Sequence, residues 1–184
     1  LQKDGVSLPG GSSRLPTSLA VVQVTDGQPS YGFYREGIAD RDYTPEQVLS
    51  QLATGTPGVL HTGSLLLVPP EHHKVLTVLR GAKALGWTIS VDVNLRPKLA
   101  ADLAAYVAAV HEVAALADWI KASDDDLELL GFAHATRANA ATVAQSFTAL
   151  GCSRVALTFG AHGAYLVVDG QSAEQDVPAV TLVD

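Results

Sequence analysis

Ser90-Val91-Asp92-Val93-Asn94-Leu95-Arg96-Pro97-Lys98 is the stretch on which the fold turns. Trp87 to Val93 is apolar and β-branched and is bounded by Gly86 and Pro97, the pattern of a buried strand. Asp92, Asn94 and Arg96 follow at i, i+2 and i+4, so an extended backbone would turn all three the same way. A polar trio on a core strand is unfavourable unless it reaches a cleft. Open α/β sheets bind ligands in such a cleft, beyond the carboxyl ends of their strands. An Asp–Arg pair closing a strand–helix junction would give the same letters, and the trio alone does not separate the two.

Outward from this strand the pattern is regular. Gly58 to Thr62 is a short strand, and Pro70 to Leu85 is a helix with Val75, Leu76, Leu79 and Ala82 on one face. Ala101 to Ala117 is a helix with Leu103, Val107, Val110, Ala114 and Ala117 on one face, and Trp119 to Ala122 is the next strand. Helices over Asp124 to Leu130 and Ala141 to Leu150 follow, the second ended by Gly151. Arg154 to Phe159 and Ala164 to Val168 are strands joined by a tight Gly160-to-Gly163 connection, and Val177 to Val183 is a last strand. Strands alternating with helices predict an α/β fold, a doubly wound and mostly parallel sheet with helices on both faces.

The amino-terminal part lies outside that rhythm. Residues 1–15 are rich in Gly, Ser and Pro and read as a linker. Ser18 to Val24 and Ser30 to Tyr34 flank Asp26-Gly27, a strong hairpin signal, so residues 16–37 form a β segment and 38–184 the α/β core. Thr44 caps a helix with Pro45 at its first position and Gln47 completing a capping box; Val48, Leu49 and Leu52 form its stripe and Gly55 ends it.

Composition narrows the function. The formal net charge of −7 argues against a nucleic-acid binder, which needs a basic face. No apolar run approaches the roughly 20 residues of a membrane span, and no basic segment followed by an apolar core opens the chain as a signal peptide would. Cys152 is alone, which fits a reducing cytosol, so a cytoplasmic location is expected. Met is absent even at position 1, which predicts residues preceding Leu1.

Three further places carry candidate chemistry. Phe33-Tyr34-Arg35 ends the hairpin, and Arg35 is placed to clamp a polar ligand beside aromatic rings; an exposed Arg on an ordinary edge strand is the plainer reading. Lys121-Ala122-Ser123-Asp124-Asp125-Asp126 follows a core strand and opens a helix. Ser123 and Asp126 have the spacing of a helix cap, and Asp126 alternatively orients a metal-bound water near a phosphate. Thr158-Phe159-Gly160-Ala161-His162-Gly163 has two glycines three apart after a strand, which lets backbone N–H groups approach a phosphate and equally suits a plain turn. No Gly-Lys-Ser/Thr of a Walker loop and no Gly-x-Ser-x-Gly elbow occurs. The six His form no metal constellation; His61, at a strand's end, is the one near the expected cleft.

In order, these pieces resemble a ribokinase-type (PfkB) carbohydrate kinase, in its fructokinase and 2-keto-3-deoxygluconate kinase branches. Pro16-Thr17-Ser18-Leu19-Ala20-Val21-Val22 is similar to the family's lid strand, and Phe33-Tyr34-Arg35-Glu36-Gly37-Ile38-Ala39-Asp40 to the substrate-facing segment after it. His61-Thr62-Gly63-Ser64 resembles the fructokinase His-Phe-Gly-Ser, and Asp92-Val93-Asn94-Leu95-Arg96-Pro97 the Asp-x-Asn-x-Arg-x signature. Lys121 to Asp126 resembles Lys-x-Ser/Asn-x-x-Glu, and Thr158 to Ala164 resembles Thr-x-Gly-x-x-Gly-Ala. Val177 to Asp184 resembles the strand leading into Asp-Thr-x-Gly-Ala-Gly-Asp.

The resemblance implies transfer of the γ-phosphoryl of ATP to a hydroxyl of a ketose or keto-sugar acid, with Mg²⁺ as cofactor. It implies that Phe33 and Arg35 close over the sugar from a lid, that Arg96 contacts the sugar or the transferring phosphate, and that Ser123, Thr158, Gly160 and Gly163 approach the nucleotide. Asp126 would stand in the metal's water network, one methylene shorter than the family's Glu. The hairpin as a lid implies a homodimer. The catalytic Asp base and its Gly-Ala-Gly-Asp loop are expected past Asp184, where the loops that would hold K⁺ also fall, so dependence on potassium is open. The alternatives are a non-catalytic fragment or pseudoenzyme that binds sugar or nucleotide or serves as a partner domain, and a nucleoside kinase of the same fold.

Overall fold

The computed structural model describes residues 2–5, 12–25 and 28–178. They form two compact units, 1–56 and 57–184. In the first unit, β1 (Leu19–Thr25) pairs antiparallel with β2 (Gln28–Tyr34), with Leu19 opposite Tyr34 and Thr25 opposite Gln28. The expected turn residues Asp26 and Gly27 lie outside the described residues. Helix α1 (Pro45–Thr54) begins as its sequence dictates. The Thr44 hydroxyl accepts from the Gln47 N–H, the Gln47 side chain accepts from the Thr44 N–H, and Pro45 takes the first position. The hairpin leaves Leu19, Val21, Val22, Val24 and Tyr34 exposed, an apolar ribbon with no cover among the described residues.

The second unit is built on a six-stranded sheet of β3 (Val59–Gly63), β4 (Thr88–Asp92), β5 (Trp119–Ser123), β6 (Arg154–Thr158), β7 (Ala164–Val168) and β8 (Gln171–Gln175). Strand order in space equals order in the chain. The first four strands run parallel, β7 runs antiparallel to β6, and β8 antiparallel to β7. The crossovers carry α2 (His72–Ala84), α3 (Leu103–Ala114), and α4 (Asp124–Leu129) with α5 (Ala140–Ala149). Helix α2 packs on β4 and α3, α4 on β5, and α5 on β6 and β7.

Alternation along the central strands buries Ile89, Val91, Ile120, Ala122, Val155 and Leu157, which meet Val75, Leu76, Leu79, Val110, Val113 and Leu127 in one core. Each large apolar side chain so buried contributes about 1.5–3 kcal/mol. Of the residues between them, Ser90, Trp119 and Lys121 stay partly exposed and Arg154 exposed. There the Arg154 guanidinium lies 4.3 Å from the centre of the Trp119 ring.

Several sequence expectations need correction. The buried face of α3 is Tyr106, Ala109, Val110, Val113 and Ala114, while Leu103 is exposed and Val107 half-buried. Alanine recurs all round this helix, so its apolar spacing fits more than one stripe, and Tyr106 decides the face. The polar trio after β4 does not share one direction, because the strand ends at Asp92 and Asn94 turns left-handed with φ 39°. The sheet's last described strand is β8, polar throughout (Gln-Ser-Ala-Glu-Gln) and therefore silent in the apolar pattern. Of the expected strand Val177 to Val183, Val177 and Pro178 are not extended into the sheet, and 179–183 lie outside the described residues.

Candidate functional site

The parallel strands end together. Gly63 lies opposite Asp92, Asp92 opposite Lys121, and Ser123 opposite Thr158. The carboxyl edge of the sheet therefore gathers the residues that the sequence singled out on four separate strands, at the position where open α/β sheets hold ligands.

Two left-handed residues shape that edge. Ser64, with φ 52°, follows β3, and Asn94, with φ 39°, follows β4. Such conformations in residues other than glycine each store about 1–3 kcal/mol and need support from their surroundings. The support is visible. Ser64 N–H donates to the Val93 carbonyl at 3.3 Å, and Val93 N–H to the Lys121 carbonyl at 3.0 Å. The fully buried Tyr106 hydroxyl donates to the Ser64 carbonyl at 3.3 Å and accepts from the Arg96 N–H at 3.4 Å. Gly63 is obligatory here, because a Cβ would stand 1.9 Å from the Asp92 carbonyl oxygen.

Asp126 is the centre of this support. The residue is 4% exposed. Oδ1 accepts from Leu95 N–H at 2.7 Å, and Oδ2 accepts from Ser123 N–H at 2.8 Å and from Ser123 Oγ at 2.7 Å. Ser123 in turn caps α4 by accepting from Asp126 N–H at 3.2 Å. One buried carboxylate thus ties the start of α4 to the loop carrying Arg96. Charge-assisted bonds of this length are the strong kind.

Arg96 is half-buried; Nη1 donates to the Leu95 carbonyl at 3.3 Å, and its buried Nε has no hydrogen-bond partner. A guanidinium held in a fixed loop with an unused donor is suited to a phosphate or a polar hydroxyl. Asp92 pairs with Lys121 at 3.1 Å rather than with Arg96.

Ser123, Thr158, Gly160 and Gly163 line one cavity of about 400 Å³, together with Asp124, Ala164, Gln175, Asp176, Val177 and Pro178. Thr158 ends β6, and residues Gly160–His162 form a single 3₁₀ turn closed by His162 N–H to Phe159 O and Phe159 N–H to Gly163 O, both 2.8 Å. Gly163 passes so close to β8 that a Cβ would sit 2.2 Å from the Gln175 carbonyl oxygen. Gln175 and Asp176 were not singled out from the sequence; they reach the cavity through β8, which the apolar pattern did not mark.

Phe33 and Arg35 belong to the first unit, where both border a cavity of about 440 Å³ with Thr17, Leu19, Tyr34, Glu36 and Ile38. Arg35 is not the exposed residue that an edge strand suggests. It is 5% exposed, with Nε donating to Asp40 Oδ2 at 2.8 Å and Nη2 ion-paired to the same oxygen.

The Cys152 thiol is buried and pushed up to about 11, by burial first and by Asp118 second. His61, expected at a strand's end, lies mid-strand in β3 opposite Ser90 of β4, exposed, with Nδ1 3.0 Å from Ser90 Oγ. Among the described residues no group of three or more His, Cys, Asp or Glu is placed to hold a metal ion, and no helix is long and apolar enough to cross a membrane. Both Asp126 oxygens already accept hydrogen bonds from Leu95 and Ser123.

Residues 11–184 match the pfkB family carbohydrate kinase. The chain belongs to the pfkB family. This pfkB chain is 30% identical over 169 residues to a fructokinase of Rhizobium leguminosarum bv. trifolii, covering 92% of the chain and 50% of that relative. It is 29% identical over 171 residues to a 2-dehydro-3-deoxygluconokinase of Bacillus subtilis (strain 168), covering 90% and 51%. In fold it is similar to a fructokinase of Xylella fastidiosa whose crystal structure holds ATP, with a TM-score of 0.73, 24% identity, and 94% and 53% of the two chains covered. The chain spans about half the length of the curated relatives it matches.

Proposed function

We propose that this pfkB chain forms part of an ATP-dependent sugar kinase that phosphorylates a hydroxyl of fructose or of a 2-keto-3-deoxy sugar acid. The observation that carries the reading is the gathering of Ser123, Thr158, Gly160 and Gly163 on one cavity at the carboxyl edge of the parallel strands. The fructokinase and 2-dehydro-3-deoxygluconokinase relatives support the sugar class.

In this reading the cavity takes the nucleotide phosphates against the Gly160–Gly163 backbone, and Thr158 and Ser123 offer hydroxyls to them. Arg96 faces the sugar or the transferring phosphoryl group with its unpartnered Nε. Asp126 acts through the loop it fixes, setting where Arg96 stands. Magnesium, where present, is held by phosphate oxygens and water, as is usual for this ion, and no described residue is assigned to potassium. Phe33 and Arg35 are assigned to sugar binding, Arg35 with its guanidinium held in place by Asp40. The exposed ribbon of Leu19, Val21, Val22, Val24 and Tyr34 is the surface for a second copy, giving a homodimer in the cytoplasm.

The test is ADP release by the protein carrying this chain, with fructose and 2-keto-3-deoxygluconate as acceptors. Sugar-dependent release is expected with one of them. Replacing Arg96 by Ala is expected to lower kcat/KM at least 100-fold while leaving the circular dichroism spectrum and Tm unchanged. ADP release indifferent to both sugars, or unchanged turnover in R96A, overturns the assignment.

A further inference from the structure

Arg137 was not among the residues marked by the sequence, yet it holds three parts of the second unit at once. Nε donates to Glu174 Oε2 at 2.7 Å, and Nη1 donates to the His162 carbonyl at 3.2 Å and to Asp176 Oδ1. Glu174 stands in β8, Asp176 just after it, and His162 in the 3₁₀ turn between the two glycines. Nη1 also lies 3.2 Å from where a Gly163 Cβ would be, so the guanidinium covers the end of that turn. Arg137 is itself held. Thr136 and Asn139 form a reciprocal cap around it, and Asn139 Nδ2 donates to the His134 carbonyl at 3.1 Å.

We infer that Arg137 is the positioning residue of the Gly160–Gly163 turn, locking its backbone against β8 for the phosphate groups of a nucleotide; this rests on the nucleotide reading of that cavity. Three features carry it. Hydrogen bonds within the turn hold the Phe159 and His162 amides, and the His162 carbonyl is anchored outward by Arg137. The two carboxylates neutralise the guanidinium, so it serves as a brace that does not compete for the ligand's charge. The planar fork of Arg spans carboxylates and carbonyl together, which a Lys ammonium cannot do.

The Glu174 and Asp176 side chains are 54% and 83% exposed, so removing their partner leaves no buried charge and the variant folds. Two measurements on the protein carrying this chain test the inference, using Arg137→Gln and Arg137→Lys. The first is amide hydrogen exchange: R137Q is expected to lose protection at Phe159 and His162 at least tenfold, with Ile89 and Val91 unchanged and R137K intermediate. Unchanged protection at Phe159 and His162 overturns the inference whatever the nucleotide does. The second is calorimetric titration with MgATP, where R137Q is expected to weaken binding about tenfold and R137K less. A wild-type chain that binds no MgATP refutes the nucleotide reading and leaves the exchange result to decide the role of Arg137 in the turn. Equal affinity in wild type and R137Q, with the turn loosened, refutes the link between turn and ligand.

Discussion

Replacing Asp126 by Asn tests whether one buried carboxylate sets the site. The carboxylate accepts three hydrogen bonds of 2.7–2.8 Å, from Leu95 N–H, Ser123 N–H and Ser123 Oγ. An amide has one carbonyl oxygen, so in either orientation its NH₂ faces a backbone N–H. The better orientation keeps the oxygen toward Ser123 and sets donor against donor at Leu95. That loses one charge-assisted bond and strands a buried amide, together about 3 kcal/mol. For a chain of 184 residues, Tm should fall by roughly 6–12 °C. Urea denaturation would read the same loss as a lower midpoint with unchanged slope. Hydrogen exchange adds the position, since Leu95 and Arg96 amides should lose protection before those of β6. Ser123→Ala, which removes the hydroxyl and the cap but keeps the carboxylate, should cost about 1 kcal/mol. D126N within about 0.5 kcal/mol of wild type, with Leu95 still protected, would refute the account of the loop.

Gly63→Ala places a methyl 1.9 Å from the Asp92 carbonyl oxygen and forces β3 and β4 apart, so a loss of about 3 kcal/mol or more is expected in urea denaturation; a variant as stable as wild type would contradict the close approach. The Cys152 thiol, raised to about 11 by burial, should react with a disulfide reagent at pH 8 only after unfolding, and prompt native reaction would contradict its burial. The same shift carries a sign: the protonated thiol's contribution is complete below the unfolded pKa near 9 and is lost as pH rises through about 11. Cys152→Ala should therefore flatten that part of the alkaline stability curve.

What the sequence disclosed and what it hid divide along physical lines. Local signals were legible. Thr44-Pro45-Glu46-Gln47 and Ser123 to Asp126 each name a cap within four residues, and both caps form. The alternation Ile89, Val91 and Ile120, Ala122 marks the buried side of the sheet. Long-range effects were not legible. The left-handed turn at Asn94 is held by Tyr106 and Asp126, which come from two different helices. The β8 strand owes its place to pairing with β7, since its own residues are polar. Arg137 meets partners 25–39 residues away, and no spacing rule reaches that far. The Arg35–Asp40 pair lies only five residues apart, yet burial rather than spacing makes it, and burial depends on the fold.

The order of strands along the sheet, identical to their order in the chain from β3 to β8, bears on how the protein is made. A ribosome extends a polypeptide at about 5–20 residues per second, while helices and hairpins form in microseconds. Each strand of this sheet meets its partner already synthesised, so β4 can dock as soon as it clears the exit tunnel, then β5, then β6. The growing edge of the sheet is covered by the next strand to emerge. Vectorial synthesis and sheet assembly therefore run in the same direction in this half of the fold, which keeps edge-to-edge aggregation low during translation.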